Sequence, residues 1–160
     1  MNLIAKHLFR WLARRVANRR PPDFVIGGTE SPYLMRWWLL PRNRFFNVYL
    51  HKFCRSDDDR ALHDHPWCWA SLLLWGEYTE HTIDAGGIHH RRIYSAGSLR
   101  AHGGKHAHRI ELHAGPVWTL FITGPRVREW GFHCPAQGWI PWQRFTAPGD
   151  SGRTGPGCDG

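Results

Sequence analysis

No stretch of this 160-residue chain approaches the ~18 consecutive apolar residues that cross a bilayer as a helix. Leu72 to Trp75 is apolar but short. No two of the four cysteines, Cys54, Cys68, Cys134 and Cys158, form a Cys-x-x-Cys pair, which argues against a zinc finger and against a disulfide framework. Four reduced thiols are expected, as in a cytoplasmic protein. The N-terminus is basic but lacks the continuous apolar core and small-residue cleavage site of a secretory leader. No internal repeat is evident. Acids are few: 13 Asp and Glu face 21 Lys and Arg, for a formal charge of +8. That balance permits nucleic acid, an anionic membrane surface or acidic small molecules as partners, without choosing among them.

What the chain does have is aromatic and histidine side chains. Ten Trp and eight Phe can furnish the core of one domain, and charged residues at 21% exclude a disordered composition. Twelve His are many for this length.

Residues 3–18 read as an amphipathic helix. Ile4, Leu8, Trp11, Leu12 and Val16 recur at helical spacing, with Lys6, Arg10, Arg14 and Arg15 over much of the rest. Arg19-Arg20-Pro21-Pro22 ends it, because proline cannot continue the ladder. A basic helix of this kind can lie on a membrane surface or on nucleic acid; packing on its own barrel or on a second subunit is the simpler expectation. Residues 23–34 look irregular. From Met35 onward short strands alternate with Gly/Pro turns, including a hairpin of 77–84 and 88–94 across Ala85-Gly86-Gly87 and a clear apolar strand from Val117 to Thr123. The run Asp57-Asp58-Asp59 lacks the glycine and closing glutamate of a calcium loop and reads as a solvated turn. The expected organisation is an N-terminal helix over 1–20, an all-β barrel over 35–145 and a flexible Gly/Pro/Ser/Asp-rich tail over 146–160.

The chemistry concentrates at His63-Asp64-His65. Residues i and i+2 of a strand share a face, so both imidazoles can address one ion. Taken as a single strand closing at Gly76, that face also carries Trp67, Trp69, Ser71, Leu73 and Trp75, an aromatic lining suited to a barrel interior. A second strand puts His106 and His108 on one face with Ile110 and Leu112. Brought side by side, the two strands make a three-histidine pocket of His63, His65 and His108. His102 and His106 are alternative ligands, or groups that hold a ligand's tautomer. Neutral imidazole suits Zn, Fe, Ni and Cu alike. Tyr49 and His51 on a neighbouring strand can line the pocket as hydrogen-bond donors or a general base. His81, His89, His90, His113 and His133 read as surface or packing residues.

On these residues the chain resembles the cupin superfamily, whose first motif runs roughly G-x5-H-x-H-x3/4-E-x6-G and whose second runs G-x5-P-x-G-x2-H-x3-N. His63-x-His65 and Gly76 sit at the first motif's spacing. Gly97-x5-Gly103-x-Lys105-x2-His108 follows the second, with glycine and lysine in place of its proline and glycine. The resemblance spans about residues 45–123. It implies a jelly-roll (double-stranded β-helix) barrel with His63, His65 and His108 as metal ligands. The family's glutamate falls on Trp69 or Ala70, so the implied centre lacks its usual carboxylate. Glu77 stands 12 residues beyond His65, roughly 40 Å along a straight strand at ~3.3 Å per residue, and Asp64 points to the other face.

The short His-Asp-His segment is similar to the thiol dioxygenases, which hold Fe(II) on three histidines and bind a substrate carboxylate through an arginine. Arg60 and Arg44 are the candidates by residue type. The longer match, with Arg55 to Arg60 before the segment and His108-Arg109-Ile110-Glu111-Leu112 after it, is similar to small bacterial and phage cupin-like proteins of unassigned activity. The first expectation is therefore an Fe(II) dioxygenase acting on a small molecule, with Tyr49, His51 and Arg60 at the reaction. The alternative is a non-oxidative cupin, either an isomerase or a small-molecule-binding module with Zn, Ni or Mn, or one that has lost catalysis. Arg60, Lys105 and Arg109 near the mouth would favour an anionic ligand. The scattered arginines and tryptophans argue against a nucleic-acid groove. A homodimer paired through its sheets is implied by the resemblance alone.

Overall fold

The computed structural model describes residues 3–57 and 61–159. Helix α1 (Leu3–Leu12) continues into a π-helical segment over Ala13–Ala17, where the Asn18 N–H reaches back to the Ala13 carbonyl at 2.9 Å. The apolar spacing of the helix decides what it covers. Leu8, Phe9, Leu12 and Val16 pack with Trp37, Leu50, Leu74 and Trp118 on one face of the largest sheet. Each such side chain taken from water contributes about 1.5–3 kcal/mol. The helix therefore lies on its own barrel, while Ile4 and Trp11 remain exposed on its far side.

That six-stranded sheet has the order β1 (Phe24–Ile26), β2 (Leu34–Trp38), β3 (Asn47–Phe53), β10 (Val117–Thr123), β5 (Trp69–Trp75), β8 (Leu99–His102), each neighbour antiparallel. Alternation sorts its side chains. In β2, Met35 and Trp37 pack under the helix, while Leu34 and Arg36 turn to a central cavity. Two smaller antiparallel sheets complete the barrel: β12 (Gly138–Pro141), β11 (Gly131–Cys134), β4 (Leu62–His63); and β7 (His89–Ser95), β6 (Glu77–Ile83), β9 (Arg109–Leu112). An isolated bridge joins them. His63 and His108 exchange both backbone hydrogen bonds, at 2.9 and 3.0 Å. The seam between the two small sheets therefore runs through two of the predicted ligands. A short helix, α2 (Trp142–Phe145), follows β12.

Five expectations need correction. The strand imagined from His63 to Gly76 is two strands in different sheets, broken around Pro66, so His65 lies beyond the end of β4. A bulge in β5 leaves Leu74 opposite no residue of β10, which reverses the alternation. Trp75 consequently stacks on Phe9 of the helix, with ring centroids 5.4 Å apart, and does not line the interior. The stretch before residue 35 contains β1, whose Phe24 and Ile26 reach the cavity.

The tail expected to be flexible over 146–160 forms the hairpin β13 (Thr146–Ala147) and β14 (Asp150–Thr154) and is tied to β11 by a Cys134–Cys158 disulfide. A disulfide depends on Cα atoms approaching within about 7 Å, a distance that sequence spacing does not reveal. Two free thiols, Cys54 and Cys68, therefore stand where four were expected. No helix among the described residues is long and apolar enough to cross a membrane.

Gly76 sits at φ 89, where a side chain is disfavoured, and a Cβ there would come within 2.9 Å of Val117. The motif glycine thus turns the chain from β5 into β6.

Candidate metal centre

The cavity between the sheets holds about 270 Å³. His63, His65 and His108 lie on its wall, and one ring nitrogen from each falls within 4.8 Å of the others. Three local features place them. The His63–His108 bridge sets two imidazoles side by side, with ring centroids 5.0 Å apart, because directly opposed residues of an antiparallel pair share a face. His65 is held from below: its N–H donates to the Gly104 carbonyl at 2.9 Å. A Cβ on Gly104 would stand 2.6 Å from the His65 carbonyl oxygen, so this close approach requires glycine. Gly104 thus takes the close contact, one residue before the lysine that departs from the motif.

Asp64, between the two histidines, is the third feature. It is fully buried and points away from them, accepting from the Gly131 N–H at 2.8 Å and the Trp139 indole at 3.1 Å, and pairing with Arg128 at 2.9 Å. Burial would raise its carboxyl. The donors from His133, Gly131 and Arg128 outweigh that and hold it below the usual range. Asp64 anchors the His-x-His segment to β11 and β12.

Glu80 was not foreseen. It shares the inward face of β6 with Tyr78, and it is 3% exposed. The His108 Nδ1–H donates to its Oε1 at 2.5 Å, and the Arg100 guanidinium is paired with the same oxygen. Burial favours a neutral Glu80, but the His106 and His108 rings and Arg100 overcome it and hold the carboxyl far below its ordinary value. The consequence is a fixed tautomer. With its proton on Nδ1, His108 presents the Nε2 lone pair to the cavity. The signal for Glu80 was an acid at an inward position of an otherwise packed strand; reach along the chain from His65 did not expose it, because the strand reverses at Gly76.

These donors suit a divalent transition ion. His65 Nε2 and His108 Nε2 are 3.0 Å apart. Two nitrogens each about 2.1 Å from one ion at a right angle stand roughly 3.0 Å apart. Both rings are held neutral. Burial, then the neighbouring imidazoles, push His65 well below its ordinary value; burial pushes His108 down to about 4 against the pull of Glu80. A second set, Glu80 with His106 and His108, is equally compact, but the Arg100 guanidinium already occupies the cation position beside Glu80.

The remaining predicted residues are placed as follows. His102 and His106 stack on each other, 3.7 Å between centroids, behind the three histidines, with Arg100 Nη2 at 2.8 and 3.3 Å from them. His51 lines the cavity, but its Nε2 accepts from Arg36 Nε–H at 2.8 Å, and burial with the Arg36 charge holds its pKa far down. That makes it a donor through Nδ1 in place of the expected general base. Tyr49, on the same face of β3, is buried behind it, ring on ring at 5.6 Å, and does not line the cavity. Arg60 lies outside the described residues. Arg44 is exposed against Phe45, and neither Lys105 nor Arg109 reaches the cavity; among the described residues, Arg36 and Arg100 are the arginines that do. Trp69, at the position of the family's glutamate, is a wall of the site, 5.2 Å from the His108 ring.

No protein-family model matches the sequence, and no curated protein matches it. Solved structures do. An RmlC-like cupin from Ralstonia eutropha JMP134 superposes with a TM-score of 0.51 at 14% identity, over 72% of this chain and 69% of that one. The chain has a cupin-like fold. Fe(II) HppE in complex with its substrate is similar with a TM-score of 0.51 at 13% identity, over 65% of this chain and 56% of that one. The Bacillus subtilis oxalate decarboxylase, a protein with Mn(II) centres, gives 0.50 at 14% identity over 74% of this chain and 31% of its own. The chain thus spans little more than half of HppE and under a third of the decarboxylase. At such identities the cupin likeness is one of fold.

Proposed function

We propose that the protein holds one divalent transition metal on His63, His65 and His108 and acts on a small molecule bound beside it, by Fe(II)-dependent oxidation. The observation that carries this reading is the convergence of three ring nitrogens within 4.8 Å on the wall of an aromatic cavity. Two cupins of similar fold are named for Fe(II) or Mn(II) centres, which supports a divalent ion in general. A ferrous ion would supply redox chemistry with dioxygen. The chain's own residues do the rest. Glu80 fixes His108 as an Nε2 ligand, and the Trp69 and Phe121 rings, stacked 5.7 Å apart, exclude water from the histidines. His51 presents its Nδ1–H, and Tyr49 holds the His51 ring in place.

Three nitrogen donors without a carboxylate also suit Zn(II), which favours a non-oxidative cupin as the second reading. Metal-free protein loaded anaerobically with Fe(II), Mn(II), Ni(II) or Zn(II) tests both. One metal per chain is expected, lost in His63→Ala and His108→Ala. Oxygen uptake with a panel of small acids and thiols is expected for the Fe(II) form only. Absent uptake with tightly retained zinc selects the non-oxidative reading; no metal uptake at all removes both.

A further inference from the structure

Five buried polar atoms on residues lining the cavity lack a hydrogen-bond partner among the described residues: His51 Nδ1, Trp67 Nε1, Trp69 Nε1, Arg100 Nε and Thr119 Oγ1. An indole or guanidinium N–H can only donate. His51 is also fixed as a donor, because its Nε2 accepts from Arg36 and its neutral ring must carry the proton on Nδ1. Thr119, opposite His51 in the β3–β10 register, can donate as well. The unmet groups of this cavity are thus donors, and buried donors are costly to leave unmet.

Arg36 adds a charge to them. It comes from the inward face of β2, with its guanidinium carbon 4.7 Å from the Tyr49 ring centroid and its Nε on His51. Among the described residues no carboxylate pairs with it. Burial pushes it down to about 10, yet it stays cationic at neutral pH. Among the described residues, the carboxylate that lines the cavity, Asp57, is already engaged: the Tyr33 hydroxyl donates to Oδ1 and the Ile110 N–H to Oδ2 at 2.6 Å. Arg100, the other lining arginine, is neutralised by Glu80.

We propose that the cavity binds a small organic anion, a carboxylate or a phosphate ester, with its charged head on Arg36 and the His51 Nδ1–H and its other end at the three histidines. Phe121 sets the reach. Its ring centroid is 4.9 Å from that of His51 and 6.4 Å from that of His65, so one aromatic ring separates the cationic end from the histidine end. A cavity of about 270 Å³ lies at the lower edge of ligand pockets, which suits a metabolite-sized molecule. This assigns a substrate class to the site discussed above, and rests on the metal reading only for the end at the histidines.

Calorimetric titration of butyrate, inorganic phosphate and neutral butyramide into metal-free and Zn(II)-loaded protein tests it, in wild type, Arg36→Gln and Arg36→Lys. Wild type is expected to bind butyrate or phosphate, with butyramide at least about tenfold weaker; the anion that binds names the head group. Arg36→Gln is expected to weaken the anion by roughly tenfold to a hundredfold and leave butyramide unchanged. Arg36→Lys, which keeps the charge, retains the preference for the anion. Equal affinity for butyrate and butyramide, no binding of either anion, or full anion affinity in Arg36→Gln overturns the proposal. Should Arg36→Gln not fold, the wild-type contrast between butyrate and butyramide and the behaviour of Arg36→Lys decide it. One Zn(II) per chain without Arg36-dependent anion binding leaves the metal reading standing and this inference refuted. Arg36-dependent anion binding without metal uptake does the reverse.

Discussion

Arg100 and Arg36 enter the same cavity from the same sheet and are held in opposite ways. Arg100, on β8, is 7% exposed and paired with Glu80, which also fixes His108. Burial alone would lower its pKa, and the Glu80 charge reverses this and raises it. Arg36, on β2, has an aromatic face and an imidazole but, among the described residues, no acid, and its pKa is lowered to about 10. A buried cation with its own acid is part of the scaffold. A buried cation without one leaves its charge for an anion in the cavity to compensate, as proposed for Arg36. The contrast separates the end that organises the histidines from the end proposed to receive a ligand's charged head.

Glu80→Gln tests the scaffold half most severely. It leaves Arg100 buried without its acid, so a loss of about 3–5 kcal/mol in urea unfolding is expected. The His108 Nδ1–H keeps only a neutral amide oxygen in place of the charged acceptor, so its hold on the tautomer weakens, and metal affinity should fall up to about 10- to 100-fold by titration. Replacing both partners, Glu80→Met with Arg100→Met, is expected to cost less than Glu80→Gln alone, since no uncompensated charge remains. If the double variant is the less stable, Arg100 and Glu80 act independently and the contrast fails.

Acid pH probes both ends. His65, His108 and His51 all have folded pKa values below the unfolded value of 6.5. The unfolded chain therefore protonates first as pH falls. Stability of the metal-free protein is complete above about pH 6.5 and is lost on descending toward pH 4, by up to about 1.4 kcal/mol per pH unit for each ring. His51→Phe should remove one proton's worth of that slope, read from unfolding at several pH values. A slope unchanged by His51→Phe would mean that this ring is not held neutral.

The smallest effect is expected at Arg36. Arg36→Gln gives up a ring contact and one hydrogen bond but relieves an uncompensated buried charge. Unfolding should place it within about 1 kcal/mol of wild type, or above it. A loss as large as that of Glu80→Gln would make Arg36 scaffold too.

Local patterns were legible from residue types alone. The spacing of Leu8, Leu12 and Val16 marks the helix face that packs on the sheet. Ala85-Gly86-Gly87 marks the β6–β7 hairpin, and the Val117–Thr123 run is β10 as expected. The His-x-His spacing with Gly76 and His108 indicated a cupin-like fold and named the three rings that the structure brings together. Two errors came from carrying a strand's alternation past its breaks, at Pro66 and at Leu74, where a turn and a bulge reset which way side chains point.

Residue patterns alone located α1 and most of the strands and showed which of their faces are apolar, because these follow from periods of 3.6 and 2 within a few residues, while β1 and the β13–β14 hairpin carry no such pattern. It also placed three imidazoles at the starts of inward-facing runs. Long-range strand pairing settled that His63 and His108 share a backbone bridge, that Glu80 backs His108, that Cys134 meets Cys158, and that Arg100 has an acid where Arg36, among the described residues, has none. The physical reason is the same in each case. Whether a buried charge is compensated, or two distant residues lie within bonding range, depends on which strands pair across tens of residues, and no local spacing encodes that.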